Sequence, residues 1–507
     1  MQSQSITLKE LFEDEAILSF DGDWLQRVSH LAMDSRRVEP GSVFFALPGQ
    51  RTDGNAHIPT ARRRGALAIV SEIDLSKHKA LGTSLTKIQV KGIRSLMARV
   101  ASRFYAHAHQ SLTLTGITGT NGKTTVAFLS RYLLARSQRK VGLVGTIQYA
   151  LGSYTLPAHR TTPEAIDLHD MFAEMKASDC AEVVMEVSSH AIDQQRVHGL
   201  NFDIAVFLNL TQDHLDYHKS LDHYFAVKAG LFTGQVGSPP PVSILSMDDD
   251  YGRLLKKKIP RETRVFTFGI DKPEADFAAH DLQLTETGSI FSLDSPVGRF
   301  VVKIPLLGHY SVSNALAALA IAYSRGCDLS ESIEHLAAFP GVPGRMERID
   351  EGQAFSVLVD YAHTEDALSN ALKMLRVITA KNLFIVFGCG GNRDRSKRPL
   401  MMKAALAGAD KVWATADNPR DEILEQIFDD MRMALKPGDE KRVAFIYDRR
   451  RAIHLALKAA QPGDCVLIAG KGHEPYQESK GKVLPFDDRI VTRQILMCFE
   501  KYRCPQI

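Results

Sequence analysis

The sequence predicts an α/β protein of three domains, with joints near residues 109 and 339. Three observations carry that reading. A chain of 507 residues is too long for one hydrophobic core, since domains usually hold about 100–200 residues. From residue 111 onward, short apolar β-rich runs alternate with helix-period segments, the pattern of βαβ units feeding a mostly parallel sheet. The alternation breaks once, at AAFPGVPGRMERI (337–349), where Pro340, Gly341, Pro343 and Gly344 interrupt both periods.

In order, SLTLTGITG (111–119), KVGLVG (140–145), AEVVMEVSS (181–189), FDIAVFLNL (202–210) and PVSILSM (241–247) predict strands buried on both faces. Helices are expected between them at 124–137 and 163–178, and GSPPPV (237–242) reads as a loop. A second series of strands follows at 356–362, 382–391, 411–418, 442–448 and 464–472, with helices at 364–377, 397–408, 421–435 and 449–460. Residues 1–108 differ, with fewer buried runs and turn clusters EPGS, LPGQ and DGN.

Composition narrows the classes. The chain is 44% apolar and 24% charged, like an average globular protein, and 62 Lys and Arg against 59 Asp and Glu leave only +3. No nucleic-acid footprint is implied by so small a charge without a basic stripe. No run approaches the roughly 20 apolar residues of a membrane span, and MQSQSITLKELFEDEAIL lacks the pattern of a secretory signal. The six cysteines (180, 327, 389, 465, 498 and 504) show no metal-type pairing and are expected to be buried, reduced thiols. A cytoplasmic location follows as the expectation.

The chemistry begins where SLTLTGITG runs into Gly119, Thr120, Asn121, Gly122, Lys123, Thr124 and Thr125 and then a helix. A glycine-rich turn from strand to helix aims backbone N–H groups and the helix dipole at phosphate. Lys123 would reach the β- and γ-phosphates of ATP, and the Thr124 hydroxyl would hold Mg²⁺. The spacing departs from G-x-x-x-x-G-K-[ST] at Ile117, and a chance G-K-T at a helix start is the alternative. Glu186 closes a neighbouring strand, the usual place for a carboxylate serving Mg²⁺. Asp213, His214, Asp216 and His218 make a polar cluster just after another strand.

Nearly the whole chain resembles the Mur ligase family, the ATP-dependent amide-forming enzymes of peptidoglycan precursor synthesis. The resemblance lies in TGTNGKTT (118–125), MEVSSHA (185–191), LNLTQDHLDYH (208–218), GVPGRME (341–347), DYAHTEDAL (360–368) and GCGGNRDRSKRP (388–399). DSR (34–36), RTTPE (160–164), SSHAIDQQR (188–196), DNPR (417–420) and GKGHE (470–474) are similar to members that extend UDP-N-acetylmuramoyl-L-alanyl-D-glutamate by its third residue. The resemblance implies a UDP-sugar-binding domain at 1–108, a P-loop ATP-binding domain at 109–338 and a Rossmann-like amino-acid-binding domain at 339–507. It implies a monomer in which ATP converts the substrate carboxylate to an acyl phosphate that an amine then attacks.

Roles follow position by position from that resemblance. Lys123, Glu186, His214 and Lys228 would be catalytic, with Thr124 and Glu186 holding a first Mg²⁺, His214 a second, and Lys228, once carbamylated by CO₂, serving as an anionic ligand in the two-metal site. Asn314, Arg345, Asp360, His363 and Lys397 would face ATP beside the loop, although helix capping is the alternative for Asn314, Asp360 and His363. Ser311 and Glu365 depart from the family pattern, where Asn and Pro are common. Met33, Ser35, Gln50, Arg51 and Thr52 would line the uridine site, and Thr161, Thr162, Ser188, Gln194 and Arg196 the muramoyl dipeptide.

The amine donor is read from DNPR. Meso-2,6-diaminopimelate differs from lysine by a distal carboxylate, which a guanidinium pairs bidentately. Arg420 and Asn418 supply donors, and a lysine-adding enzyme would gain nothing from Arg420. Arg393 would add a second cation, Asp417 and Pro419 complete the motif, and Gly470 and Glu474 would face the distal ammonium. A plain turn and helix start is the alternative for this segment. Folylpolyglutamate synthetase is the nearest rival, opposed by the extra N-terminal domain and by DNPR. A nucleic-acid motor lacks charge support, and a non-catalytic nucleotide module does not account for Lys123, Thr124 and Glu186.

Overall fold

The apolar runs fold into strands close to their expected bounds. The computed structural model describes residues 6–49, 53–75, 85–285 and 287–501. Two compact units result, the first built from residues up to Ala278 with Asp294–Val297 and Ser313–Ser332, the second from the remainder.

Within the first unit, the N-terminal segment holds strands β1 (Ile17–Asp21), β2 (His30–Ala32), β3 (Ser42–Phe45), β4 (Ala66–Ser71) and β5 (Thr86–Val90) in the order β1-β5-β4-β3-β2. All neighbours are parallel except β1 and β5. Helix α1 (Ile93–Phe104) buries Ile93, Leu96, Met97 and Val100, which recur at helical spacing and pack with Val43, Phe45, Val70 and Ile88.

The next segment runs β6 (Thr113–Thr118), α2 (Lys123–Arg136), β7 (Val141–Val144), β8 (Gln148–Ala150), β9 (Thr155–Pro157), α3 (Ala165–Ala177), β10 (Glu182–Glu186), β11 (Ile204–Phe207), α4 (Leu221–Ala229), β12 (Val242–Ser246) and β13 (Arg264–Ile270). Its sheet order is β9-β8-β7-β10-β6-β11-β12-β13, parallel from β7 through β13. The strands β7, β10 and β11 are buried at every position, as a doubly covered parallel sheet requires. A Cβ on Gly116 would lie 2.8 Å from the Phe202 ring, so β6 packs closely only with glycine there. Because β6 is central, its C-terminal end delivers the loop to the crevice where such sheets bind ligands.

Three strands escaped the sequence reading: β14 (Phe277–Thr285), β15 (Gly288–Ser295) and β16 (Gly298–Ile304). Helix α5 (His309–Ser324) follows.

The second unit contains β17 (Glu347–Arg348), β18 (Ser356–Asp360), α6 (Glu365–Ile378), β19 (Leu383–Cys389), α7 (Lys397–Gly408), β20 (Lys411–Ala416), α8 (Leu424–Arg432), β21 (Val443–Ile446), α9 (Arg449–Ala459), β22 (Cys465–Ala469), a hairpin β23 (Tyr476–Ser479) and β24 (Lys482–Pro485), and α10 (Asp488–Lys501). The sheet order β17-β18-β22-β19-β20-β21 is parallel from β18 to β21. Alternate residues of β19 serve opposite cores: Leu383, Ile385 and Phe387 pack on one face, Phe384 and Val386 on the other. Arg449 is fully buried and pairs with Asp488, while its guanidinium donates to the carbonyls of Ala416 and Ala469. One side chain thereby ties the ends of β20 and β22, the strands that carry DNPR and GKGHE.

Cys180, Cys327, Cys389 and Cys465 are buried and unbridged, but Cys498 is exposed. That position faces outward on α10, so the expectation of burial fails there. Cys504 lies outside the described residues, as do Gln50, Arg51 and Thr52.

Candidate active site

Two glycines shape the loop after β6. Gly119 (φ +157°) and Gly122 (φ +89°) hold conformations that L side chains rarely adopt, and a Cβ on Gly122 would also strike Asn314 Oδ1. Asn209 braces the loop from outside: its Oδ1 accepts from Asn121 N at 2.8 Å, and its Nδ2 donates to Asn121 O at 3.1 Å. Lys123 Nζ donates to the carbonyls of Gly119 and Thr120 at 2.8 and 2.9 Å. Thr120 and Thr125 are half-buried.

Glu186 lies at the end of β10, fully buried. Its Oε2 accepts from Thr124 Oγ1 at 3.0 Å and from Thr146 Oγ1 at 2.9 Å; its Oε1 accepts from Thr146 N at 2.8 Å. Hydrogen bonds to a charged acceptor are worth about 1.5–3 kcal/mol each, and these three hold the carboxylate between α2 and the loop after β7. Hydroxyl and carboxylate oxygens are the donors Mg²⁺ takes, so Thr124 and Glu186 fit that ion. Among the described residues no three His, Cys, Asp or Glu side chains converge as a metal cluster. Mg²⁺ needs none, because it keeps waters and shares substrate phosphates.

Lys228, on α4, is buried and donates to Gly119 O at 2.9 Å, the carbonyl that Lys123 also uses. Its Nζ lies 4.7 Å from the Tyr224 ring centroid. Burial, reinforced by the Lys123 charge, pushes the Lys228 amine well below the usual lysine range. His214 caps a short turn in the left-handed region (φ +53°) and is half exposed, with its ring 4.8 Å from that of His190. Behind it, His218 stacks on Tyr224 and shares a 2.9 Å hydrogen bond with Ser189 Oγ. Burial pushes His218 down to about 4.

The dipeptide candidates also converge. Thr162 Oγ1 donates to Glu186 O at 2.8 Å and accepts from Ser188 N at 3.1 Å, while Thr161 Oγ1 lies 3.0 Å from Thr146 Oγ1. Arg196 donates to Gln194 Oε1 at 2.6 Å and Thr162 O at 3.0 Å, and lies 3.1 Å from Glu164. Arg94 and Arg160 pair with the same glutamate, so three guanidiniums face one buried carboxylate. An excess of cations at that point suits an anionic ligand. Ser35 is buried in a short turn capped by Asp34, Met33 packs on the N-terminal core, and Arg37 pairs with Asp167 of α3 at 2.6 Å.

In the second unit three motifs meet. The Arg345 guanidinium lies 4.5 Å from the Tyr361 ring centroid, and Gly344 and Gly472 approach too closely to admit a Cβ on either. Asp360 accepts from Met346 N at 2.7 Å and Ala362 N at 2.8 Å, and burial raises its carboxyl above the usual range despite Arg345. His363 is exposed, its Nδ1 2.8 Å from Tyr361 O, and Lys397 is exposed at the start of α7.

DNPR and GKGHE interlock at the ends of β20 and β22. Asn418 Nδ2 donates to Glu474 Oε2 at 2.9 Å, and a Cβ on Gly470 (φ +112°) would lie 3.2 Å from Asp417 Oδ2. Lys471, fully buried, reaches Asn418 Oδ1 at 3.1 Å, Glu474 at 3.2 Å and Asp417 at 3.7 Å. Arg420 NH1 donates to Gly391 O at 2.8 Å, directly after Pro419, and both Arg420 and Arg393 flank Gly390.

Sequence reasoning missed Thr146, Asn209, Tyr224, Glu164 and Lys471, together with the Gln477–Lys480 edge that zips onto DNPR. Of these, Lys471 sits inside GKGHE, Glu164 inside RTTPE and Asn209 inside LNLTQDH; Thr146 and Tyr224 carry no local signature and meet the site only through the fold.

A central parallel sheet with a phosphate-type loop, followed by a second doubly covered sheet, defines a class. The chain belongs to the Mur ligase family. Residues 27–105 match its catalytic domain, 117–322 its middle domain and 344–472 its glutamate ligase domain. Over 469 residues the chain is 44% identical to the UDP-N-acetylmuramoyl-L-alanyl-D-glutamate–2,6-diaminopimelate ligase of Solibacter usitatus, covering 92% of this chain and 93% of that protein. The equally named ligase of Listeria monocytogenes is 40% identical over 491 residues, 96% of this chain and 98% of that protein. A solved structure of a ligase of that name superposes with a TM-score of 0.69 at 36% identity, over 98% of this chain and 99% of that one.

Proposed function

We propose that the protein adds meso-2,6-diaminopimelate to UDP-N-acetylmuramoyl-L-alanyl-D-glutamate at the expense of ATP, forming an amide in peptidoglycan precursor synthesis. The observation that carries this reading is the Thr124–Glu186 hydrogen bond beside the Gly119–Lys123 loop, because it sets a buried carboxylate against the first turn of the helix that the loop opens.

In this reading the loop amides and Lys123 hold the ATP phosphates, with Asn314, Arg345, Asp360, His363 and Lys397 completing the nucleotide site. Thr124 and Glu186 would hold one Mg²⁺ and His214 a second, ions that supply charge neutralisation for phosphoryl transfer. Lys228 is suited to carbamylation because burial and the nearby Lys123 charge lower its pKa and so favour the neutral amine, the form that attacks CO₂. Arg196, Gln194, Ser188, Thr161 and Thr162 orient the dipeptide carboxylate, and Met33, Ser35 and the Gln50–Thr52 stretch the uridine. ATP transfers its γ-phosphoryl group to that carboxylate; the diaminopimelate amine then attacks the acyl carbon, phosphate leaves, and the amine sheds a proton. Positioning and charge carry the catalysis, since no covalent enzyme intermediate is needed.

Arg393, Asp417, Asn418, Pro419, Arg420, Gly470 and Glu474 form the donor site, a guanidinium set against the distal carboxylate and a glutamate against the distal ammonium. The 1–108, 109–338 and 339–507 segments divide uridine, ATP and amino-acid binding among them. Among the described residues no helix is long and apolar enough to cross a membrane, and we place the enzyme in the cytoplasm as a monomer. Phosphate release is measured with the UDP-dipeptide and either diaminopimelate or lysine, and separately with a folate and glutamate. Release with diaminopimelate supports the reading; release only with the folate pair would replace it.

A further inference from the structure

The donor site carries a carboxylate of its own. Arg420 stands in the left-handed region (φ +52°), unusual for a residue with a long side chain. Two backbone hydrogen bonds hold it there: Arg420 N donates to Glu478 O at 3.0 Å, and Lys480 N donates to Arg420 O at 2.6 Å. Further links fasten the same edge, since Glu478 N donates to Asn418 Oδ1 at 2.9 Å and Gln477 Nε2 to Asp417 O at 2.8 Å. With its backbone fixed, Arg420 meets the Glu478 side chain, Nε lying 3.2 Å from Oε2. The Glu478 side chain is about one-third exposed, so its carboxylate can swing into water while the hairpin backbone stays in place.

We propose that Glu478 sets the affinity of the donor site, as a resident carboxylate that neutralises Arg420 and is exchanged for the distal carboxylate of the incoming diamino acid. The proposal rests on the diaminopimelate reading above. Its physical basis is that binding then swaps one guanidinium–carboxylate pair for another. The net gain from Arg420 is smaller than for a bare guanidinium, and it falls only to donors that bring an anion of their own. A donor without a distal carboxylate leaves the Arg420–Glu478 pair closed.

The test uses the full-length enzyme with saturating ATP and UDP-dipeptide, and follows phosphate release as diaminopimelate or lysine is varied. Glu478→Gln lowers KM for diaminopimelate about two- to tenfold, leaves KM for ATP unmoved, and gives no matching gain with lysine. Glu478→Asp, which keeps the charge on a shorter arm, lies between the two. In an Arg420→Ala background, Glu478→Gln no longer changes KM for diaminopimelate. A KM that is unchanged or raised in Glu478→Gln overturns the exchange, as does an equal improvement with lysine. If the wild-type enzyme releases no phosphate with diaminopimelate, the proposed function itself falls and the exchange with it. If the wild type turns over but the variant does not improve, the exchange alone falls.

Discussion

Replacing Glu186 with glutamine removes a charge and almost no volume, so it asks what that carboxylate is for. The side chain is fully buried and accepts three hydrogen bonds, from Thr124 Oγ1, Thr146 Oγ1 and Thr146 N. In Glu186→Gln the amide oxygen keeps the Thr146 N–H, and the two hydroxyls rotate to accept from the new NH₂. What disappears is the charge assistance on those three bonds, about 3–4 kcal/mol in all. Against that, a buried carboxylate costs several kcal/mol in desolvation, which the neutral amide does not incur. The two terms nearly cancel, so the thermal midpoint stays equal or rises. Turnover responds in the opposite way: without a carboxylate to hold Mg²⁺, kcat falls at least about a hundredfold. Phosphate release across a Mg²⁺ titration, with thermal unfolding of the same preparations, reads both quantities. A midpoint lowered by several degrees in step with lost activity would make Glu186 a structural residue. A kcat within threefold of wild type would remove it from the site altogether.

Arg420→Ala raises KM for diaminopimelate by about 10- to 100-fold and leaves KM for ATP within twofold; parallel changes in both would make Arg420 structural. Arg449→Met strands the buried Asp488 charge and costs about 3–5 kcal/mol in urea unfolding, much of which Arg449→Met/Asp488→Leu restores. His109 and His169 are buried with rings 5.1 Å apart, and burial lowers them to about 4 and about 3. Their unfolded value is near 6.5, so the unfolded chain binds more protons below it. Stability is therefore full above pH 6.5 and falls, by about 1.4 kcal/mol per pH unit for each group, as the pH drops towards 4. Urea midpoints measured from pH 7 to 4.5 check this, and His109→Gln/His169→Gln flattens the slope. Lys228, if carbamylated, gives a carbamate resonance with ¹³C-labelled CO₂ and activity that rises with bicarbonate; neither response is expected of Lys228→Met.

Much of this was legible because buried parallel strands leave a strong local mark. The run NLFIVFGC became β19 because both of its faces are covered, and KVWATA became β20 for the same reason. Helix 397–408 was placed to the residue. The strands β14 to β16 were not read, because their inside and outside residues alternate with charged positions such as Asp281, Asp294 and Lys303 and never form an apolar run. In the N-terminal sheet β2 has three residues and β3 four, too short for a period to register. The candidate site divides in the same way. Lys123, Thr124 and Glu186 announce themselves by position against strand ends. Thr146 does not, since it acquires its partner from an element distant in sequence. Glu478 reads as an ordinary charged hairpin residue until β23 brings it to Arg420.

The most direct test of the account is the ratio of kcat/KM for meso-diaminopimelate to that for L-lysine in the wild-type enzyme, by phosphate release with UDP-N-acetylmuramoyl-L-alanyl-D-glutamate. A guanidinium reserved for a distal carboxylate predicts a preference for diaminopimelate of about a hundredfold or more. Lysine used as well as or better than diaminopimelate would contradict it.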